Sequence, residues 1–370
     1  MNITIEKSEL QNIALMATRA VPSKSPITAM EGLLFEAVDG KLTVTGYDLK
    51  RAIYTSIEAD IAETGKMLIN ARFLNDLLRR LQDGMVNIIC NERDNRISIR
   101  CGKSEYQLSG LDTSEYPEVQ KFNENQALEI PQDVLGNMIR RSLFAVAKEE
   151  TRPVYTGTLF EIEGDELTLV SVDGYRLARR VEKIESSKLE DSRFIVPGFA
   201  LSDVEKFCGE TDDPAKISIG DKHISFTIGN TVIISRRLEG DFLNHRTAVP
   251  ENFRYMVKVD RQEMISVIDR VSLVLNDKIG SPVRMTFDDN VIDCRCATPM
   301  GKAEDVCSSS GSGDGLEIGF NDKYLMDALK AAESDEVLFC LNTSSSPCII
   351  KAADGTENYT YMVLPVRIHA

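Results

Sequence analysis

The chain holds 370 residues, 42% hydrophobic and 27% charged, an ordinary globular composition with enough apolar material for more than one core. Its net charge of −15 argues against a protein that grips nucleic acid over its whole surface, and a DNA-handling role would need a local basic face. No run approaches the ~18 apolar residues that span a bilayer, and Met1-Asn2-Ile3-Thr4-Ile5-Glu6 lacks the basic and apolar regions of a signal peptide, so a cytoplasmic protein without membrane contact is expected.

Ser8, with Gln11 three residues on, predicts a capping box opening a helix whose face is Leu10, Ile13, Ala14, Ala17 and Thr18. Asn70 predicts the cap of a second helix with the stripe Phe73, Leu74, Leu77, Leu78 and Leu81. Val86, Ile88 and Cys90 lead through Asp94-Asn95 to Ile97, Ile99 and Cys101, an antiparallel hairpin. The polar stretch 122–127 reads as a boundary. Pro131 suits the first turn of a helix that buries Leu135, Met138, Ile139, Leu143 and Val146. Ile217 and Ile219 lead through Gly220-Asp221 to Ile224, Phe226 and Ile228, a second hairpin. After another boundary near Pro250, Asp260 with Glu263 opens a further helix, Ser308 to Gly315 reads as a mobile loop, and Asn321 caps a helix containing Leu325 and Leu329.

These elements repeat. A shift of 125 residues carries Gly32-Leu33-Leu34-Phe35-Glu36 and Asp48 onto Gly157-Thr158-Leu159-Phe160-Glu161 and Asp173. A second marker recurs as Leu74-Asn75-Asp76, Leu201-Ser202-Asp203 and Leu325-Met326-Asp327, the last copy lying in the most diverged third. Units of ~120 residues can each bury a core, so tandem duplicated domains are expected, each reading helix, strands, helix, strands.

Catalytic signals are sparse. Eight scattered cysteines lack the spacing of a disulfide framework, and Cys294-x-Cys296 has no second pair or nearby histidine to complete a metal site. Gly311, Gly313 and Gly315 precede a strand pattern rather than a helix, the wrong context for a phosphate loop. Asp173-Gly174 and Asp288-Asp289-Asn290 fall where turns need such residues, and no nucleophile with a base supports a hydrolase built on either aspartate. No cofactor is expected. Arg79, Arg80, Arg140 and Arg141 lie off the apolar stripes of their helices, and Lys24, Arg19, Lys206, Arg270, Lys323 and Lys330 add positive charge on or near others. Acidic neighbours such as Asp76 and Asp269 fit an ordinary solvated face, whereas repetition of the helices fits one shared basic surface. A repeat-built scaffold that does not touch DNA is the alternative.

The segments Thr43-Val44-Thr45-Gly46-Tyr47-Asp48-Leu49, Asp173-Gly174-Tyr175-Arg176-Leu177-Ala178, Phe320-Asn321-Asp322-Lys323-Tyr324-Leu325 and the ending Tyr361-Met362-Val363-Leu364-Pro365-Val366-Arg367-Ile368 closely resemble the bacterial sliding clamps, the beta subunits of DNA polymerase III. The resemblance implies an α+β fold of three tandem clamp domains, 1–124, 125–250 and 251–370, each with two helices and antiparallel sheets. Two chains would close head to tail into a six-domain ring. It implies a non-catalytic processivity factor that encircles double-stranded DNA without sequence readout, Lys24, Arg79, Arg80, Arg140, Arg141 and Lys206 facing it. It implies partners in the replicative polymerase, a clamp loader and other replication and repair proteins.

The family's peptide-binding pocket maps onto Arg152, Tyr155, Val172, Gly174, Tyr175, Arg176, Leu177, Leu243, Arg246 and Ala248, together with Ile279, Asn321, Tyr324, Met362, Val363, Leu364, Pro365, Val366 and Arg367. Phe242-Leu243-Asn244-His245 departs from the family's usual Phe-Pro-Asp-Tyr, which implies altered peptide preference at the rim. The ring-closing contacts map onto Tyr106, Leu108, Leu273 and Val274.

Overall fold

The computed structural model describes residues 1–91, 94–119, 127–149, 151–184, 191–275, 281–356 and 358–368. Along the chain come β1 (Asn2–Glu6), α1 (Lys7–Thr18), β2 (Gly32–Val38), β3 (Lys41–Tyr47), β4 (Arg51–Glu58), β5 (Asp60–Glu63), β6 (Gly65–Asn70), α2 (Ala71–Arg80), β7 (Met85–Asn91), β8 (Arg96–Cys101) and β9 (Ser104–Ser109). Then follow β10 (Ala127–Pro131), α3 (Gln132–Arg140), β11 (Gly157–Glu163), β12 (Glu166–Val172), β13 (Arg176–Lys183), β14 (Ser192–Pro197), α4 (Gly198–Phe207), β15 (Pro214–Ile219), β16 (His223–Ile228) and β17 (Thr231–Arg236). The short α5 (His245–Ala248) precedes β18 (Tyr255–Asp260), α6 (Arg261–Ser272), β19 (Val283–Asp288), β20 (Val291–Thr298), β21 (Gly301–Ser310), β22 (Leu316–Phe320), α7 (Asp322–Ala331), β23 (Glu336–Leu341), β24 (Cys348–Ala352) and β25 (Tyr359–Val363). Apart from β5 and α5, one order occurs three times: strand, helix, three strands, strand, helix, three strands.

The chain forms two compact units, Met1–Asp133 with Lys206–Arg237, and Val134–Glu205 with Leu238–Ala370. The first holds an eight-stranded sheet, β10-β15-β16-β17-β4-β3-β2-β6, and a five-stranded sheet, β5-β1-β7-β8-β9. Leu10, Ile13, Ala14 and Ala17 of α1 share one core with Leu74, Leu77 and Leu78 of α2 and with residues of both sheets. Gly46 permits this packing, because a Cβ there would lie 2.0 Å from the Ala17 carbonyl oxygen. The second unit holds one twelve-stranded sheet, β14-β11-β12-β13-β25-β24-β23-β18-β21-β20-β19-β22. In both units a strand from a later repeat completes an earlier meander: β17 pairs with β4, and β25 with β13, all antiparallel. The predicted hairpins form in register, with Ile88 opposite Ile99 and Ile217 opposite Phe226.

The caps at Asn70, Asp260 and Asn321 accept from the backbone N–H groups of Phe73, Glu263 and Tyr324. The expected box at Ser8 does not form, because β1 runs straight into α1 and the helix begins a residue earlier, with the Lys7 N–H bonded to the Gly84 carbonyl. Thr18 is half-buried and bonds back to Ala14, and Phe73 points out of its stripe, 44% exposed. Pro131 ends edge strand β10 instead of opening α3. α3 stops at Arg140, so Leu143 and Val146 belong to a following 3-10 turn and are only half-buried. Ser308 to Ser310 is strand, with Ser308 opposite Val291 and Ser309 opposite Val259; the loop begins at Gly311.

Candidate functional site

The β12–β13 turn builds the centre of a groove in the second unit. Asp173 Oδ1 accepts from the backbone N–H groups of Tyr175 and Arg176 at 2.9 and 3.0 Å, and Gly174 supplies the positive φ the turn needs. The turn leaves Tyr175 62% exposed and Arg176 buried. Arg176 Nε donates to Asp173 Oδ2 at 3.0 Å and Nη1 to Asp327 Oδ2 at 2.6 Å, while its guanidinium lies 4.5 Å from the Tyr324 ring centre. It is a post that fixes the wall rather than a free cation. Tyr324 stacks on Tyr175 at 6.1 Å, and burial, then the Asp173 charge, push its hydroxyl above the usual range, so it stays a neutral donor.

The floor is apolar. Leu177 and Met362 sit opposite one another on β13 and β25, in one cluster with Val172 and Phe242, against which Tyr155, Leu243 and Leu364 pack. The C-terminal segment is pinned: Leu364 N–H donates to the Tyr175 carbonyl at 2.9 Å and Val366 N–H to the Gly319 carbonyl at 2.7 Å. A cleft of about 690 Å³ is lined by Val146 to Glu149, Thr151, Arg152, Tyr155, Asp173 to Arg176 and Tyr324. Arg152 is exposed, its guanidinium 5.6 Å from the Tyr155 ring centre, and Tyr155 meets Phe242 edge to face. Arg246 is exposed and held by Glu163 at 2.7 Å; Ala248 and Pro365 are half-buried and Arg367 is exposed. Such a groove offers apolar anchorage, backbone groups and few cations, the equipment for a short extended peptide.

Two mapped residues behave otherwise. Val363 points to the opposite face and packs in the core with Phe339 and Tyr361, as period two along β25 requires. Asn321 spends its side-chain oxygen capping α7. Ile279 lies outside the described residues. Sequence reasoning missed the wall at Lys148 and Glu149, whose only signal was their place before the Thr151-Arg152-Pro153 segment.

Of the candidate DNA-facing residues, Lys24 is exposed after α1. Arg79 and Arg80 are exposed in the last turn of α2, and Lys206 in that of α4, positions that the helix dipole favours for cations. Arg79 also pairs with Asp76 at 2.6 Å, and Arg140 with Glu205 at 2.8 Å. Arg141 does not stand outward as expected: its Nη1 donates to the Ala331 carbonyl at 2.6 Å and its Nε lies 3.0 Å from Glu333. Arg270 is likewise engaged, with Asp305 on β21 at 2.6 Å, an ion pair that holds the Asp305 carboxyl below its usual range.

Two open stretches of sheet edge carry or adjoin the residues mapped to ring closure. β9 ends the five-stranded sheet and carries Tyr106, 38% exposed, and Leu108, which packs partly on its own core. β21 pairs with β20 along its length but with β18 only at Ser309 and Ser310, which leaves Gly301 to Cys307 unpaired on one side. Near that edge Leu273 is 80% exposed, and Thr298 Oγ1 donates to the Val274 carbonyl at 2.8 Å. Met300, in the β20–β21 turn, and Val306, both exposed, were missed; alternation along β21 was the available signal for Val306. Cys294, Cys296 and Cys307 are buried, and burial pushes the Cys296 thiol up to about 11 and that of Cys307 to about 12, so they stay protonated. Among the described residues no three His, Cys, Asp or Glu gather as a metal site, and no helix is long and apolar enough to cross a membrane.

Family models of the DNA polymerase III beta subunit match the chain in three parts: the N-terminal domain over 1–120, the central domain over 129–244 and the C-terminal domain over 246–367. The beta sliding clamp of Staphylococcus aureus (strain Mu50) is 30% identical over 379 residues, covering 100% of both chains. The DNA polymerase sliding clamp of Bacillus subtilis superposes with a TM-score of 0.96 at 28% identity, covering 100% of each chain. The Pseudomonas aeruginosa sliding clamp bound to griselimycin does so with a TM-score of 0.94 at 26% identity, also covering 100% of each. The chain therefore belongs to the DNA polymerase III beta subunit family, the bacterial sliding clamps.

Proposed function

We propose that this processivity factor works as a homodimer, closed head to tail into a six-domain ring around duplex DNA, with domains at 1–124, 125–250 and 251–370. The open edge of β9 in one copy meets the open edge of β21 in the other, Tyr106 and Leu108 packing near Leu273 and Val274. Lys24, Arg79, Arg80, Arg140 and Lys206 face the phosphates. The chain's net charge of −15 repels DNA elsewhere, so retention is topological and sequence-independent. The chain catalyses nothing itself and uses no cofactor. It acts in the cytoplasm by tethering the replicative polymerase, and a clamp loader and other replication and repair proteins use the same groove.

The observation that carries the tethering role is the floor formed by Leu177 against Met362 and closed by Leu364 pinned to Tyr175, an apolar slot between paired strands with Arg152 exposed at its mouth. A fluorescent peptide copying the polymerase tail should bind the dimer and be displaced by griselimycin. Retention of the loaded protein on closed circular DNA, with release once the circle is cut, tests encirclement. Binding of the peptide without competition would remove the groove from this reading.

A further inference from the structure

We infer that the buried pair of His245 and Glu161 positions the α5 side of the peptide groove, and that His245 is thereby a positioning residue for partner binding; the inference rests on the groove reading above. α5 has four residues and is far too short to hold itself in place. Yet Leu243 precedes it, Arg246 lies in it and Ala248 ends it, so one wall of the groove depends on where this turn sits. Asn244 accepts from the Arg246 N–H at 3.2 Å and Thr247 Oγ1 donates to the Asn244 carbonyl at 3.1 Å, contacts that shape the turn without attaching it to the body.

Leu243 and Val249 flank it against the apolar floor, Arg246 reaches Glu161 at 4.0 Å, and three further contacts attach it. Phe242 enters the apolar floor. Arg246 pairs with Glu163, but both side chains are more than half exposed, and such pairs contribute little. His245 is 2% exposed and places Nε2 2.6 Å from Glu161 Oε2. The other Glu161 oxygen faces Arg193 Nε at 3.1 Å, and Arg193 lies opposite Glu161 in the β11–β14 ladder, so the carboxylate is held by two strands before the histidine meets it. His245 Nδ1 is buried with no hydrogen-bond partner among the described residues. The ring is therefore oriented by one polar contact among the described residues, and that contact links a four-residue turn to a paired sheet.

The test uses the full-length dimer and a fluorescent peptide copying the polymerase tail. His245→Ala should weaken peptide binding about tenfold or more, while His245→Gln, whose amide can donate to Glu161, should recover to within about threefold of the parent; the dimer mass should be unchanged in both. Amide exchange should quicken across 243–248 in His245→Ala and remain slow in β11 and β13. Leu364→Asp serves as the groove control. Parent affinity in His245→Ala beside loss in Leu364→Asp overturns the inference and leaves the groove standing. A Gln variant as weak as the Ala variant also overturns it, since the hydrogen bond would then not be what positions the turn. Parent affinity in all three removes the groove and the inference together.

Discussion

Arg180 Nη1 donates to Glu333 Oε2 at 2.9 Å, although the arginine is only 1% exposed. Arg180 belongs to β13 and Glu333 follows α7, so the pair joins the second repeat to the third inside one unit. Around it Asn137 donates to Glu333 Oε1 at 2.7 Å, Arg141 Nε approaches that oxygen at 3.0 Å, and Glu182 takes the other end of Arg180 at 3.2 Å. Removing Glu333 would leave two guanidinium groups short of a partner, one of them buried. Glu333→Ala should therefore cost about 3 kcal/mol of unfolding free energy, read from denaturant midpoints at neutral pH.

The same network predicts an acid limb. Burial raises the Glu333 carboxyl, but the hydrogen bond from Asn137 and the Arg180 and Arg141 contacts outweigh it and hold the group below its ordinary range. A folded value below the unfolded one gives stability that is full above about pH 4.3 and is lost as pH falls through the lowered value. Glu182, raised by burial, works in the opposite sense and offsets part of the loss. Unfolding temperature followed from pH 6 downward should fall less steeply in Glu333→Gln than in the parent; parallel curves would remove Glu333 from the acid limb.

Arg141 separates structure from DNA contact. Arg79→Glu with Arg80→Glu should weaken salt-sensitive association with linear duplex without altering thermal stability, because both side chains are exposed. Arg141→Ala should lower stability and leave DNA association near the parent, since its guanidinium is committed to Ala331 and Glu333. The reverse pattern would return Arg141 to the DNA face.

Local chemistry made much of this fold legible. Asn70, Asp260 and Asn321 cap through their own side chains within three residues, and the hairpins at Ile88–Ile99 and Ile217–Phe226 alternate around short turns, so both signals survive without tertiary context. Ser8 misled because the start of α1 is set by β1 and Gly84, not by the helix itself. Arg141 misled because its partners lie 190 residues or more away in Ala331 and Glu333. In the groove, the Asp173-Gly174-Tyr175-Arg176 turn was readable, but the inward facing of Val363 and the His245–Glu161 contact depend on which sheet each segment joins.

Ring closure should rest on a small apolar contact between open edges. Leu108 partly packs on its own core, so Tyr106→Glu with Leu273→Asp is the cleaner pair, replacing exposed apolar surface at both edges with charge that closure would bury unpaired. Sedimentation at micromolar and nanomolar concentrations should show the parent dimeric and the double variant monomeric with unchanged secondary structure. A dimer that persists would assign closure elsewhere.

The C-terminal segment carries the sharpest expectation for the groove. Met362 and Val363 are strand residues, the first in the groove floor and the second in the opposite core, so a chain cut after Tyr361 would lose part of β25 as well as the groove. A cut after Val363 removes only Leu364 onward: the Leu364 N–H bond to Tyr175, the Val366 bond to Gly319 and the Leu364 side chain over the floor. Loss of a well-packed anchor costs about 2 kcal/mol or more at an interface, which is roughly thirtyfold in affinity. Titration of the fluorescent polymerase-tail peptide should therefore show at least a tens-fold weaker Kd for the shortened chain, with the dimer intact by sedimentation and the unfolding temperature lowered by no more than a few degrees. An unchanged Kd in a dimer of normal stability would mean that partners dock elsewhere than on the Leu177–Met362 floor.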